Sequence, residues 1–160
     1  MPGTFQTLAG LDVIGRIKAP AFLEGGDFFP AGRDLALLGV GLRSNYDAAK
    51  QLMDADLLGT TRFAVVRDDF DQHQDRMHLD CVFSILTHDC CLMLEDMMGE
   101  SSPTRRLVDL WTRDRRSGKY KLDKEGIEFS KFMTVRPPLP PRSAHAARVP
   151  GRATGLLNTL

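Results

Sequence analysis

The sequence predicts a mixed α/β fold. Two observations carry that class. Short apolar runs bounded by glycine or turn residues, the mark of buried strands, alternate with longer stretches whose apolar residues recur at helical spacing. The order strand, strand, helix also occurs twice, offset by about 54 to 56 residues when Glu24 is laid on His78 and Leu35 on Cys91.

Taken in order, Ala21 to Glu24 reads as a short strand ending at Gly25-Gly26, and Leu35 to Gly41 (LALLGVG) as a buried strand between glycines. Ser44 is the expected N-cap of a helix carrying Tyr46, Ala49, Leu52, Met53 and Leu57 and running through Leu58 to Gly59. Phe63 to Val66 is a strand closing on Arg67-Asp68-Asp69, and the acidic run from Arg67 to Asp71 reads as a solvated loop. In the second half, His78 to Leu86 is expected to be a strand, Thr87 to Asp89 a turn and Cys90 to Leu94 a buried strand. Ser101, Ser102 and Pro103 then read as the start signals of a helix with Leu107, Val108 and Trp111 on its apolar stripe, followed by a helix from about Asp123 to Met133.

The 160 residues, 42% hydrophobic and 26% charged, describe one globular domain or part of one. The 21 basic side chains balance 21 acidic ones, so no basic surplus invites phosphate backbones or anionic lipids. No apolar stretch is long enough to span a bilayer, and residues 1 to 20 lack a signal-peptide layout, which makes the cytoplasm the expected location. Cys81, Cys90 and Cys91 are an odd, crowded set and are read as reduced thiols.

Neutrality hides a split at residue 133. Residues 1 to 133 carry 17 basic and 21 acidic groups, whereas residues 134 to 160 carry four arginines, no acid and five of the nine prolines. That Pro/Arg-rich tail offers little to a core and is expected to be disordered, a linker or a polyproline ligand.

Three local features could do chemistry. In His78-Leu79-Asp80-Cys81, strand alternation would put His78 and Asp80 on one face and Cys81 on the other. An imidazole beside a carboxylate can move protons while the carboxylate holds a cation, although a polar pair at a strand end has a plainer reading as solvated side chains. In Glu24-Gly25-Gly26-Asp27, two glycines allow a sharp turn presenting Glu24 and Asp27 inward, or simply an acidic turn in solvent. Arg43 lies between a strand end and a helix start, where a guanidinium can fork onto a carboxylate or pair with its neighbours. His73, His78, Asp80, Cys81, His88, Cys90 and Cys91 are all metal-ligand types, but their spacing lacks a Cys-x-x-Cys or His-x-x-x-His pair, so no metal is expected.

LEGGD at Glu24, GVGLRSN around Arg43 and MHLDCVF around His78, in this order and at these separations, together resemble the arginine deiminase and amidinotransferase group of guanidino-modifying enzymes. The resemblance covers roughly residues 20 to 133. It implies a pentein-like α/β propeller of strand-strand-helix-strand units, of which this chain would hold about two. It also implies a cysteine thiolate that attacks the guanidino carbon of arginine, loss of ammonia, and hydrolysis of the adduct to citrulline, with no cofactor. By resemblance, His78 is the general acid and base, Glu24 orients and charge-matches it, Asp80 binds guanidinium nitrogens, and Arg43, with Asp27 nearby, serves substrate binding. In the family the nucleophilic cysteine lies near the C-terminus, and none of Cys81, Cys90 and Cys91 fits its place. The chain is therefore expected to be an internal fragment of an arginine deiminase-like hydrolase, catalytically silent, with open sheet edges that favour marginal stability or self-association. Two other readings stay open: an amidinotransferase of the same group, and a non-catalytic protein that binds guanidino compounds or a partner.

Overall fold

A computed structural model describes residues 13–32 and 34–134 and the backbone of 155–157. Its centre is a five-stranded sheet in the order β1-β2-β3-β6-β7, with β1 Phe28–Pro30, β2 Leu35–Val40, β3 Arg62–Arg67, β6 Leu107–Arg113 and β7 Tyr120–Glu128. Strands β2 and β3 run parallel, joined by the helix α1, Tyr46–Asp54, and the other neighbours are antiparallel. A smaller sheet has the order β4-β5-β8, from Phe83–Thr87, Cys90–Met93 and Gly155–Leu157. A short helix, α2, Phe129–Thr134, follows β7 directly.

The run LALLGV is apolar throughout because both faces of β2 are covered, and alternation divides its side chains between two cores. Ala36 and Leu38 join Phe63 and Val65 against Ala49 and Met53 of α1. Leu35 and Leu37 join Ala64, Val66 and Val108 against Phe83, Cys91, Met93 and Phe129, which belong to the small sheet and α2. The molecule is thus layered as helix, large sheet, and small sheet with α2.

Several expectations are corrected. Ala21 to Glu24 is not a strand, and the first strand is β1, after a 3-10 turn at Gly25–Asp27. The N-cap of α1 is Asn45, whose Oδ1 accepts from Ala48 N at 3.1 Å, and the helix ends at Asp54 because Asp56 turns to a positive φ of 50°. His78 to Leu86 is not one strand: Leu79–Cys81 forms a 3-10 turn and only Phe83–Thr87 pairs. The segment with Leu107, Val108 and Trp111 is β6 rather than a helix. Its register against β3 sends Val108 and Leu110 to one core and Asp109 and Trp111 to the other side. Most of Asp123 to Met133 is likewise the end of β7, with helix confined to Phe129–Thr134. The supposed repeat fails there, since β4 and β5 are followed by another strand.

The acidic run is a solvated loop only in part, with Asp69 and Phe70 exposed. Asp68 is buried and Asp71 takes a two-pronged ion pair from Arg76 at 2.6 and 2.8 Å. Arg106, also buried, pairs with Asp68. Of the tail, Thr134 ends α2 and 155–157 pairs with β5, and the rest of the segment expected to be disordered lies outside the described residues. Among the described residues no helix is long and apolar enough to cross a membrane.

Candidate active site

Glu24 ends the segment before the Gly25–Asp27 turn, and three hydrogen bonds between Asn45 and that stretch of chain hold its start. Phe22 N donates to Asn45 Oδ1 at 3.2 Å, Asn45 Nδ2 donates to Pro20 O at 3.1 Å, and Asn45 N donates to Phe22 O at 3.1 Å. The β2-to-α1 junction thus positions the strap that carries Glu24. His78, fifty-four residues later, stands at the entrance to the Leu79–Cys81 turn and brings its Nε2 to 2.6 Å from Glu24 Oε2. Arg43 approaches from the same junction, its Nη1 3.9 Å from Glu24 Oε1 and its Nε donating to Met77 Sδ at 3.2 Å.

Asp27 lies beneath this surface, 3% exposed. Its Oδ2 accepts from Ser44 Oγ at 2.6 Å and its Oδ1 from Leu79 N at 2.8 Å. Ser44 Oγ in turn accepts from Glu24 N at 3.0 Å. One buried carboxylate therefore ties together the glycine turn, the α1 junction and the turn carrying His78 and Asp80. Burial pushes the Asp27 carboxyl above its ordinary range, against the opposing hydrogen bonds from Ser44 and Leu79.

Asp80 lies over Gly26, where an added Cβ would meet its carboxylate oxygens at 2.7 and 2.9 Å. Gly39 of β2 makes room below, since a Cβ there would come within 2.6 Å of Asp27 Oδ1 and 2.9 Å of Leu79 Cβ. The two glycines serve close approach. Behind His78 a small pocket is lined by Asp27, Gly41, Asp68, Arg76 and Arg106. Burial brings the Arg106 guanidinium down to about 10, against the opposite pull of Asp27.

The structure thus gathers Glu24, Arg43, His78 and Asp80 at one surface with Asp27 below. Cys81 is corrected in position: because Leu79–Cys81 is a turn rather than a strand, its Sγ is not sent to the opposite face and lies 3.7 Å from Asp80 Oδ1. Cys90 is half-buried and Cys91 buried in β5. Sequence reasoning missed Ser44, Asn45, Asp68 and Arg106. Ser44 and Asn45 were visible as capping-type residues beside Arg43, but only their partners across the fold reveal what they hold.

The arrangement sets an acid–base group, its carboxylate partner, a second carboxylate and a guanidinium side by side. The family model for arginine deiminase matches residues 6–133. The chain belongs to the arginine deiminase family. That membership supports, at the level of the family, a hydrolase acting on amidino groups with a small guanidino substrate. The matched span contains every residue of the cluster.

Proposed function

We propose that this chain binds the guanidino group of arginine at the Glu24–His78–Asp80 cluster and carries the acid–base half of a deiminase site. The 2.6 Å pairing of His78 Nε2 with Glu24 Oε2, in a chain of the arginine deiminase family, carries the reading. Glu24 fixes the imidazole by engaging Nε2, so that Nδ1 is the nitrogen left to exchange protons with a substrate or leaving ammonia. Asp80 offers two oxygens to a pair of guanidinium N–H groups. Arg43, half-exposed beside them, suits the carboxylate of a free amino acid, which makes arginine a better ligand than its decarboxylated analogue agmatine. Asp27, with both oxygens engaged inside the protein, positions the turns rather than meeting the substrate.

Deimination needs a thiolate to attack the guanidino carbon, expel ammonia and yield the adduct to water. Cys90 and Cys91 sit in β5, with Cys91 buried in the core, and Cys81 is beside Asp80, on the wall that would hold the guanidinium rather than across from it. The chain by itself is therefore expected to bind arginine without turning it over. The same reading treats residues 1–133 as part of a pentein-like propeller, with 134–160 as an appended tail, in a cytoplasmic protein.

Isothermal titration tests the binding step. Arginine should bind more tightly than agmatine, and His78→Ala and Asp80→Asn should each weaken it. Equal affinity for the two ligands would remove Arg43 from its role, and no binding by the folded chain would overturn the proposal. Citrulline and ammonia release, measured alongside, should be absent. Turnover lost in both His78→Ala and Cys81→Ser would instead make Cys81 the nucleophile.

A further inference from the structure

We propose that His78, Asp80 and Cys81 form a binding site for a soft divalent cation of the zinc class. One imidazole nitrogen, one carboxylate oxygen and one thiol sulfur from these residues all lie within 4.8 Å of one another. A tetrahedral zinc ion with its sulfur ligand at about 2.3 Å and its oxygen ligand at about 2.1 Å sets those two ligands about 3.6 Å apart. Cys81 Sγ and Asp80 Oδ1 are already 3.7 Å apart. Asp80 and Cys81 are exposed, so small rotamer changes can draw the third donor in without disturbing the core.

The donor set selects the ion. Magnesium and calcium prefer oxygen throughout, whereas a mixed nitrogen, oxygen and sulfur set suits zinc and its neighbours in the first transition row. Three protein donors leave a fourth position open to water on the exposed side. Glu24 supplies the outer support, since a carboxylate accepting from one ring nitrogen fixes the imidazole so that the other, Nδ1, can coordinate. The turn carrying all three donors is anchored from below by Leu79, buried and hydrogen-bonded through its N–H to Asp27. Arg43, the neighbouring cation, is turned to Glu24 and Met77. On binding, the thiol proton passes to solvent and sulfur coordinates as thiolate.

Cys81 has no part in guanidino binding as proposed above, so the two readings fail separately. The test is titration of the whole, chelator-treated chain with cobalt(II), whose bond to a thiolate gives a charge-transfer absorption in the near ultraviolet, together with calorimetric titration by zinc alone. The expected result is one ion per chain, an absorption lost in Cys81→Ser and retained in Cys90→Ser, and zinc affinity lowered roughly 10-fold in Glu24→Gln. Asp80→Asn gives a second reading of the site should Cys81→Ser not fold. Absence of the absorption at stoichiometric cobalt, or its persistence in Cys81→Ser, would overturn the proposal. His78 and Asp80 serve both readings, so arginine is titrated into the metal-free chain. No arginine binding there, with the cobalt absorption still appearing in a separate sample, would sink the guanidino reading and leave this one standing.

Discussion

Asp27 shows how much a single buried carboxylate can decide. Its two oxygens hold Ser44 and Leu79, and through them the segments bearing Glu24 and His78. Burial raises its pKa, so the folded chain keeps the Asp27 proton more tightly than the unfolded chain does. Its contribution to stability is then complete below the ordinary carboxylate range and is lost as pH rises through the raised folded value. Asp71 runs the other way: hydrogen bonds from Arg76 lower its pKa, and its contribution is present above the ordinary range and lost as pH falls through the lowered value. Urea unfolding of the native chain and Asp27→Asn, from about pH 4 to pH 7, should show the native chain losing stability relative to the variant as pH rises. A difference independent of pH would mean that Asp27 does not titrate as its burial demands.

At the scale of elements, the site depends on two turns and one strand meeting more closely than side chains usually permit. In Gly26→Ala the new Cβ meets only the tip of Asp80, which can swing aside. The fold should therefore keep its stability while arginine affinity falls on the order of 10-fold, or about 1.4 kcal/mol, in calorimetric titration. In Gly39→Ala the Cβ meets Asp27 and the Cβ of Leu79, neither of which can leave. That overpacking should lower the unfolding free energy by about 1–3 kcal/mol, read as a shifted denaturant midpoint. The elements themselves were unevenly legible. Leu35–Val40 and Arg62–Arg67 declared themselves because they are apolar on both faces, whatever packs against them. Leu107–Arg113 did not, since Leu107, Val108 and Trp111 fit a helical stripe as well as a strand. Pairing with β3, not local preference, decides the matter.

For the whole molecule, the joint between the two sheets is aromatic. Phe83 of β4 meets Phe29 of β1 edge-on at 5.4 Å between ring centres and Phe129 of α2 at 5.0 Å. Phe83→Ala should cost about 3–5 kcal/mol, with Trp111 fluorescence and far-ultraviolet circular dichroism still reporting one shared transition in urea. Two separated transitions would show that the sheets unfold independently. The long edge strand β7 exposes Lys121, Asp123, Lys124 and Glu125, charges of the kind that discourage edge-to-edge pairing, and β1 at the other edge ends in Pro30.

The sequence by itself determined the α/β class, the buried strands Leu35–Val40 and Arg62–Arg67 and the choice of Glu24, Arg43, His78 and Asp80 as candidates, because strand hydrophobicity and motif spacing are properties of the chain alone. What only the tertiary structure decided is how those residues meet. The turn at Leu79–Cys81 exists because Leu79 N–H is drawn to the buried Asp27 and Leu79 itself into the core, so the alternation that would separate Cys81 from His78 never applies. The burial of Asp68 and Asp71 likewise needs Arg76 and Arg106 arriving from later in the chain. A charged run reads as solvated until its counter-charges are in place, since local sequence carries no record of which distant group will offset the cost of leaving water.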